Sequence, residues 1–286
     1  MNYLILILMG LIFLGQKVRT NWIAGIKSSL LKIMQPGADR RLFSGFTQSP
    51  IGWVRNAASW VRSFNWTGTA AGIMGLGGVG GGTLITSRHV LFANHVPYRT
   101  LPQPFDIFFV NADSRTFTYK VTSIQQVGTT DIAIGTLDRA VDSSINIYSV
   151  LPYNWTDYVK VKKEAYNTMG VKGVKLTLSL PVLYGNQTKM IATGDVVEID
   201  FGKAIVRSPE FEPARAWASQ LAVGDSGNPI FVMVGDELVL LGAWHTGSNG
   251  MDVGTFPWLI DYRPEIEAII GMKLRVADLS GLDRIA

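Results

Sequence analysis

Three short stretches hold side chains that could do chemistry together. Gly224-Asp225-Ser226-Gly227 is a tight turn that leaves one serine between residues with little or no side chain of their own. A hydroxyl is a weak nucleophile unless a neighbouring base takes its proton and a third group orients that base. The chain has only three histidines, His89, His95 and His245, and His95 closes the run from Thr83 through Ala93-Asn94. Thr130-Asp131-Ile132-Ala133-Ile134 sets one carboxylate at the mouth of an apolar strand, with Asp106 and Asp113 as the alternative carboxylates. Asp131 follows His95 by 36 residues, and Ser226 follows Asp131 by 95. Such separations put each group on a different strand end or loop, so a folded scaffold must bring them together.

The scaffold reads as all-β. From Trp66 onward, short apolar runs are broken by glycine and turn residues. Strands are expected at Thr83–Ile85, Asp106–Val110, Thr116–Val121 and Asp131–Leu137. Others are expected at Val174–Leu180, Val182–Tyr184, Met190–Ala192 and Val196–Phe201. The glycine cluster from Gly75 to Gly82 lacks the Lys-Ser/Thr ending of a phosphate-binding loop and reads as a flexible hairpin. Pro229–Val234 and Glu237–Gly242, joined by Gly235-Asp236, form a hairpin directly behind the serine. Arg263–Ile270, with proline in its first turn, reads as a closing helix.

The Thr-Leu-Ile strand leading to Ala-x-His, then Asp-Ile-Ala, then Gly-Asp-Ser-Gly, in that order, resembles the trypsin/chymotrypsin-like serine peptidases of the cysteine-free bacterial or viral type. The resemblance spans roughly residues 66–270. It implies two six-stranded antiparallel β-barrels with a short C-terminal helix, the first over 63–152 and the second over 153–286. It implies peptide-bond hydrolysis of a polypeptide substrate, with Ser226 as nucleophile, His95 as base, Asp131 orienting the imidazole, and an oxyanion hole from the Gly224 and Ser226 N–H groups. No cofactor or metal is called for. The family pattern brings Gln220, His245, Thr246, Gly247 and Gly254 to the substrate pocket. None is the aspartate that would select lysine or arginine. A pocket-lining His245 would select Glu or Gln; an edge-strand His245 outside the pocket is the other reading. His89 reads as structural. A buried Asp225 needs a cationic partner, for which an arginine side chain is the natural candidate, because no Ile-Val-Gly-Gly sequence precedes the first barrel to supply a new N-terminus.

Composition narrows the setting. With 286 residues, 47% of them hydrophobic, the chain can fill two modest cores, and with no cysteine no disulfide or thiolate metal site holds them. Residues 1–62 carry a net charge of +7 and the remainder −3. A polyanion-binding role for the β region therefore has little support and no nucleic-acid partner is expected for it, whereas the basic N-terminal extension suits acidic lipid or nucleic acid. Residues 1–20 hold an apolar run of signal-peptide length, shorter than the ~20 apolar residues a membrane-spanning helix needs, so export or membrane association is expected. Residues 21–62 read as a basic amphipathic helix, halted at Pro36-Gly37, followed by a linker. That helix suits either a membrane surface, through residues 1–34, or packing on its own domain. Two other functions remain open on sequence: a protease-shaped binding module without activity, and a membrane-tethered interaction protein working through its basic N-terminus.

Overall fold

The computed structural model describes residues 21–45, 52–76, 80–168, 171–247 and 253–285. The apolar run expected to be a signal or anchor therefore lies outside the described residues. Among those described, no helix is long and apolar enough to cross a membrane.

The first barrel is built from β1 (Gly72–Ile73), β2 (Thr83–Leu84), β3 (His89–Ala93), β4 (Phe105–Val110), β5 (Thr116–Gln126) and β6 (Ile132–Leu137). They form one antiparallel sheet in the order β1-β4-β5-β6-β3-β2. The chain entering β1 closes it: Ala70 N–H donates to Gly82 O on one side and Ala71 N–H to Phe108 O on the other. Leu84, Val90, Phe92, Ile107, Phe109 and Val121 fill the interior. Gly135 is small because a Cβ there would sit 2.4 Å from the Phe92 ring.

The second sheet holds β7 (Ser149–Val150), β8 (Lys162–Thr168), β9 (Val171–Gly185), β10 (Ile191–Asp200), β11 (Lys203–Arg207), β12 (Pro229–Val234), β13 (Glu237–Ala243), β14 (Thr246–Gly247) and β15 (Val253–Pro257). Its main path is β14-β15-β11-β10-β9-β12-β13-β7. Because β13 runs on through Trp244-His245 into β14, and β14 pairs with β15, six strands close into the second barrel. Two additions extend the expected plan: β7 pairs parallel with β13, and β8 pairs along β9. The runs read separately as 174–180 and 182–184 are one strand through Pro181. Those at 190–192 and 196–201 are also one, with a register shift between Val196 and Glu198 that breaks the alternation. Gly235, at φ 60°, makes the two-residue turn between β12 and β13.

Helix α1 (Trp22–Ile33) starts at Asn21, whose side chain accepts from Ala24 N–H. Trp22, Ile26 and Leu30 recur every four residues and are buried in the second barrel's core cluster, with Trp22 Nε1 donating to Met233 O at 2.7 Å. Of the two readings of this helix, packing against its own domain is the one seen. The described part of 38–62 is more than a spacer. Leu42 N–H donates to Lys189 O, Ile191 N–H to Arg40 O, and Arg55 reaches the carbonyls of Val110, Asn111 and Trp66. Its buried residues, Leu42, Phe43, Trp53, Trp60 and Val61, follow no strand or helix period, so the pattern reads as linker while the side chains fill gaps. After β15, helix α2 (Arg263–Ile270) ends at Gly271 in the left-handed region, φ 69°.

Candidate active site

The register of the first barrel sets up the first contact. Pairing of β3 with β6 places Ala93 opposite Ile132, so the residues just beyond, Asn94 and Asp131, face each other across the strand ends. Asn94 N–H donates to Asp131 O at 2.9 Å, and His95 N–H to Asp131 Oδ1 at 2.7 Å. The other carboxylate oxygen, Oδ2, lies 2.8 Å from His95 Nδ1. A carboxylate only accepts, so the proton sits on Nδ1 and Nε2 is free to accept. Ser226 Oγ, from the other barrel, stands 2.7 Å from that Nε2. The Asp131 side chain is only 8% exposed, whereas the His95 ring is 42% exposed, so the pair is anchored on the inside and open on the serine side.

The serine turn is held from both barrels. Gly227 N–H donates to Trp244 O and Trp244 N–H to Asn228 O, fixing the turn to the end of β13. From the first barrel, Gly80 N–H donates to Gly224 O and Gly81 N–H to Ser226 O. Tyr98 Oη donates to Gly81 O at 2.9 Å and pins that strap from behind. A Cβ at Gly81 would lie 2.5 Å from Asn228 N, a backbone atom that cannot swing aside. The glycine cluster thus has a steric reason at its C-terminal end beyond flexibility. Gly224 has φ 102°, a conformation reserved for glycine. With its carbonyl turned to Gly80, its N–H and that of Ser226 have no acceptor among the described residues. They are the pair expected to serve as oxyanion donors.

The other expected site residues divide. Thr246, Gly247 and Gly254 lie together on β14 and β15, where Thr246 and Thr255 share a 2.6 Å hydroxyl hydrogen bond. Gln220 is exposed at the start of the serine turn. His245 stands apart from this group: its Nε2 is 3.8 Å from Asp131 Oδ2 and its ring 5.5 Å from that of His95. There it borders a polar cavity of about 370 Å³ shared with Gln126, Lys203 and Tyr262. Burial, with smaller contributions from His95 and Lys203, pushes its pKa down against the pull of Asp131. One atom each of His95, Asp131 and His245 lies within 4.8 Å of the others. A metal there would displace the Nδ1 proton and dismantle the hydrogen bond to Asp131. His89, half-buried at the first residue of β3, shares a 2.8 Å hydrogen bond with Thr86 Oγ1, in keeping with a structural role.

Two residues carry weight here that sequence reading passed over. Leu221, 7% exposed, occupies the slot between Gly247 and Gly254. A Cβ on Gly254 would fall 2.1 Å from Leu221 Cδ1, and one on Gly247 2.7 Å from the same atom. Lys189, from the turn between β9 and β10, is the buried cation near Asp225, where an arginine had been the natural expectation. A lysine within the turn pattern Asn-Gln-Thr-Lys reads as exposed, so only the fold shows that it points inward.

No protein-family model matches the chain, and no curated protein matches it. Among solved structures similar to it is a mutant of human heparin binding protein (CAP37), 17% identical, covering 72% of this chain and 92% of that one at a TM-score of 0.51. At that identity the likeness is one of fold, and it agrees with the two barrels described above: the chain has a trypsin-like, chymotrypsin-type double-barrel fold.

Gly81→Ala is expected to force the strap off the serine turn. Overpacking of this kind costs about 1–3 kcal/mol, measurable by urea denaturation, and hydrogen-exchange protection of residues 221–228 should fall. Unchanged stability and protection would show that the strap does not position the turn.

Proposed function

We propose that the chain is a serine endopeptidase working through His95, Asp131 and Ser226. The observation that carries this reading is the continuous hydrogen-bond line from Asp131 Oδ2 through the His95 ring to Ser226 Oγ, at 2.8 and 2.7 Å, assembled across two barrels. In the proposed reaction Ser226 Oγ attacks the carbonyl carbon of a peptide bond while its proton passes to His95 Nε2. Asp131, already accepting from Nδ1, stabilises the charged imidazole that results. The N–H groups of Gly224 and Ser226 receive the oxygen as it gains negative charge. His95 then returns its proton to the leaving amine, and an acyl group remains on Ser226. Water, deprotonated by the same nitrogen, releases that acyl group and restores the serine.

The polypeptide substrate enters along β14, whose Thr246 and Gly247 are exposed. Leu221 packs against Gly247 and Gly254 and fills the space where a long side chain would enter. This favours small apolar side chains before the scissile bond over lysine or arginine, whose buried charge would meet no carboxylate among Gln220, Leu221, Thr246, Gly247 and Gly254. His245, beside Asp131, supports no selection for Glu or Gln through this pocket.

Asp131→Asn should fold normally and lower turnover by about four orders of magnitude, because the amide favours the wrong imidazole tautomer. Circular dichroism and a peptide-cleavage assay decide it, and near-normal turnover in a folded variant would remove Asp131 from its role. Cleavage-site profiling of Leu221→Gly should show larger side chains accepted before the cut. The slot is shaped otherwise if the profile stays at small residues.

A further inference from the structure

Lys189 is a cation in an unusual place. It terminates the turn Asn186-Gln187-Thr188-Lys189, whose shape is set by Asn186 Oδ1 accepting from Thr188 N–H and Met190 N–H. It has φ 56°, and only 6% of the residue is exposed. Its side chain shares a small void between the barrels with Leu42, Trp66, Thr69 and Asn228. A buried ammonium is costly unless something offsets its lost hydration. Here Nζ donates to Asn228 Oδ1 at 3.1 Å, and the Asn228 amide donates in turn to Asp225 O at 3.0 Å. Asp225 itself is 4% exposed. Its Oδ1 accepts from Gln187 N–H and its Oδ2 from Ala222 N–H, both at 2.9 Å, so one carboxylate ties the Lys189 turn to the start of the serine turn.

We propose that Lys189 is a positioning residue, its buried ammonium acting through Asn228 and Asp225 to hold the 221–228 turn in the shape that aims the Gly224 and Ser226 N–H groups at one point. This rests on the peptidase reading above and adds a part that the hydrogen-bond line of Asp131, His95 and Ser226 does not contain. The device is internal to the chain: the cation arrives with the β9–β10 hairpin as the second barrel folds, and no cleavage is needed to supply it. Asp225 and Lys189 are matched in kind, since burial pushes the Asp225 carboxyl up and holds the Lys189 ammonium down, at about 8, with each opposing the other's shift. On the packed stretch before the first barrel, Arg40 turns to the carbonyls of Ala216 and Ala218, Arg41 to Asp39, and Arg55 to the carbonyls of Val110 and Trp66. Tyr184 Oη donates to Ser219 O.

The pH dependence has a definite sign. Below about pH 8 Lys189 is charged in the folded and unfolded chain alike. Between about 8 and its ordinary value of 10.5 the folded chain loses the proton that the unfolded chain keeps, so this group makes the fold more stable as pH rises. Positioning and stability therefore move in opposite directions through pH 8, which a merely structural lysine would not do.

The test is Lys189→Met, which keeps the side chain's length and the strain of its backbone while removing the charge, alongside Lys189→Arg. The Met variant should remain folded, with a midpoint of thermal unfolding no lower than the parent's, and kcat should drop about tenfold to a hundredfold with little change in KM, a fraction of the loss seen when an oxyanion donor is removed. The Arg variant should retain more turnover than the Met variant. The parent's kcat should decline through pH 8 while its thermal midpoint does not, and the Met variant should lack that decline. Hydrogen-exchange protection of residues 221–228 supplies a readout independent of activity: it should fall in the Met variant, and in the parent above pH 8. Protection lost in the Met variant of a parent that itself shows no peptidase activity would uphold the positioning role and refute the peptidase. An active parent whose Met variant keeps both kcat and protection would overturn the role of Lys189 alone.

Discussion

Ser226 and His95 belong to different barrels, so their contact depends on how the two barrels are joined beneath it. The joint is backbone against backbone: Gly80 and Gly81 of the first barrel donate to Gly224 and Ser226 of the second. Contact that close admits no side chain at 81 or 227, and the left-handed backbone at 224, φ 102°, favours glycine there too. Hydrogen bonds between main-chain groups also have little freedom to slide, so the 2.7 Å approach of His95 Nε2 to Ser226 Oγ is fixed by the backbone joint between the barrels.

A second tie runs around the outside. With no cysteine, the chain has no covalent fastening, and the N-terminal stretch supplies a packed one. Helix α1 buries Trp22, Ile26 and Leu30 in the second barrel, and the strap after it pairs with Lys189 and Ile191 before Arg55 reaches carbonyls at the edge of the first. Burial holds the Arg55 pKa down to about 10, which leaves it charged at neutral pH while its guanidinium meets carbonyl oxygens and the Phe43 ring. The stretch that precedes the barrels in sequence is thus also what spans them in space.

The parts of this structure legible in sequence are those written locally. Ser226, His95 and Asp131 stand in motifs of three or four residues at strand ends, and the strands themselves announce their apolar runs. The turn from β12 to β13 and the start and stop of helices α1 and α2 follow from single residues whose backbone preferences are strong. What sequence did not show depends on partners far along the chain. Lys189 is buried because the serine turn folds over it, and Leu221 fills the slot because two glycines from β14 and β15 open it. Of the two readings of His245, the side chain stands beside Asp131, a neighbour 114 residues earlier that no local pattern announces. The linker reading of 38–62 missed buried residues spaced by the contours of two barrels, since no repeating period marks them.

Whether Ser226 is a nucleophile is the question on which the functional reading turns, and a fluorophosphonate answers it directly. The purified chain is incubated with the reagent, digested, and the adduct located by mass spectrometry. An activated serine predicts one phosphonyl group per chain, on Ser226, formed slowly or not at all when His95 is replaced by alanine. No adduct on Ser226, or labelling spread evenly over exposed hydroxyls and indifferent to His95, would contradict it.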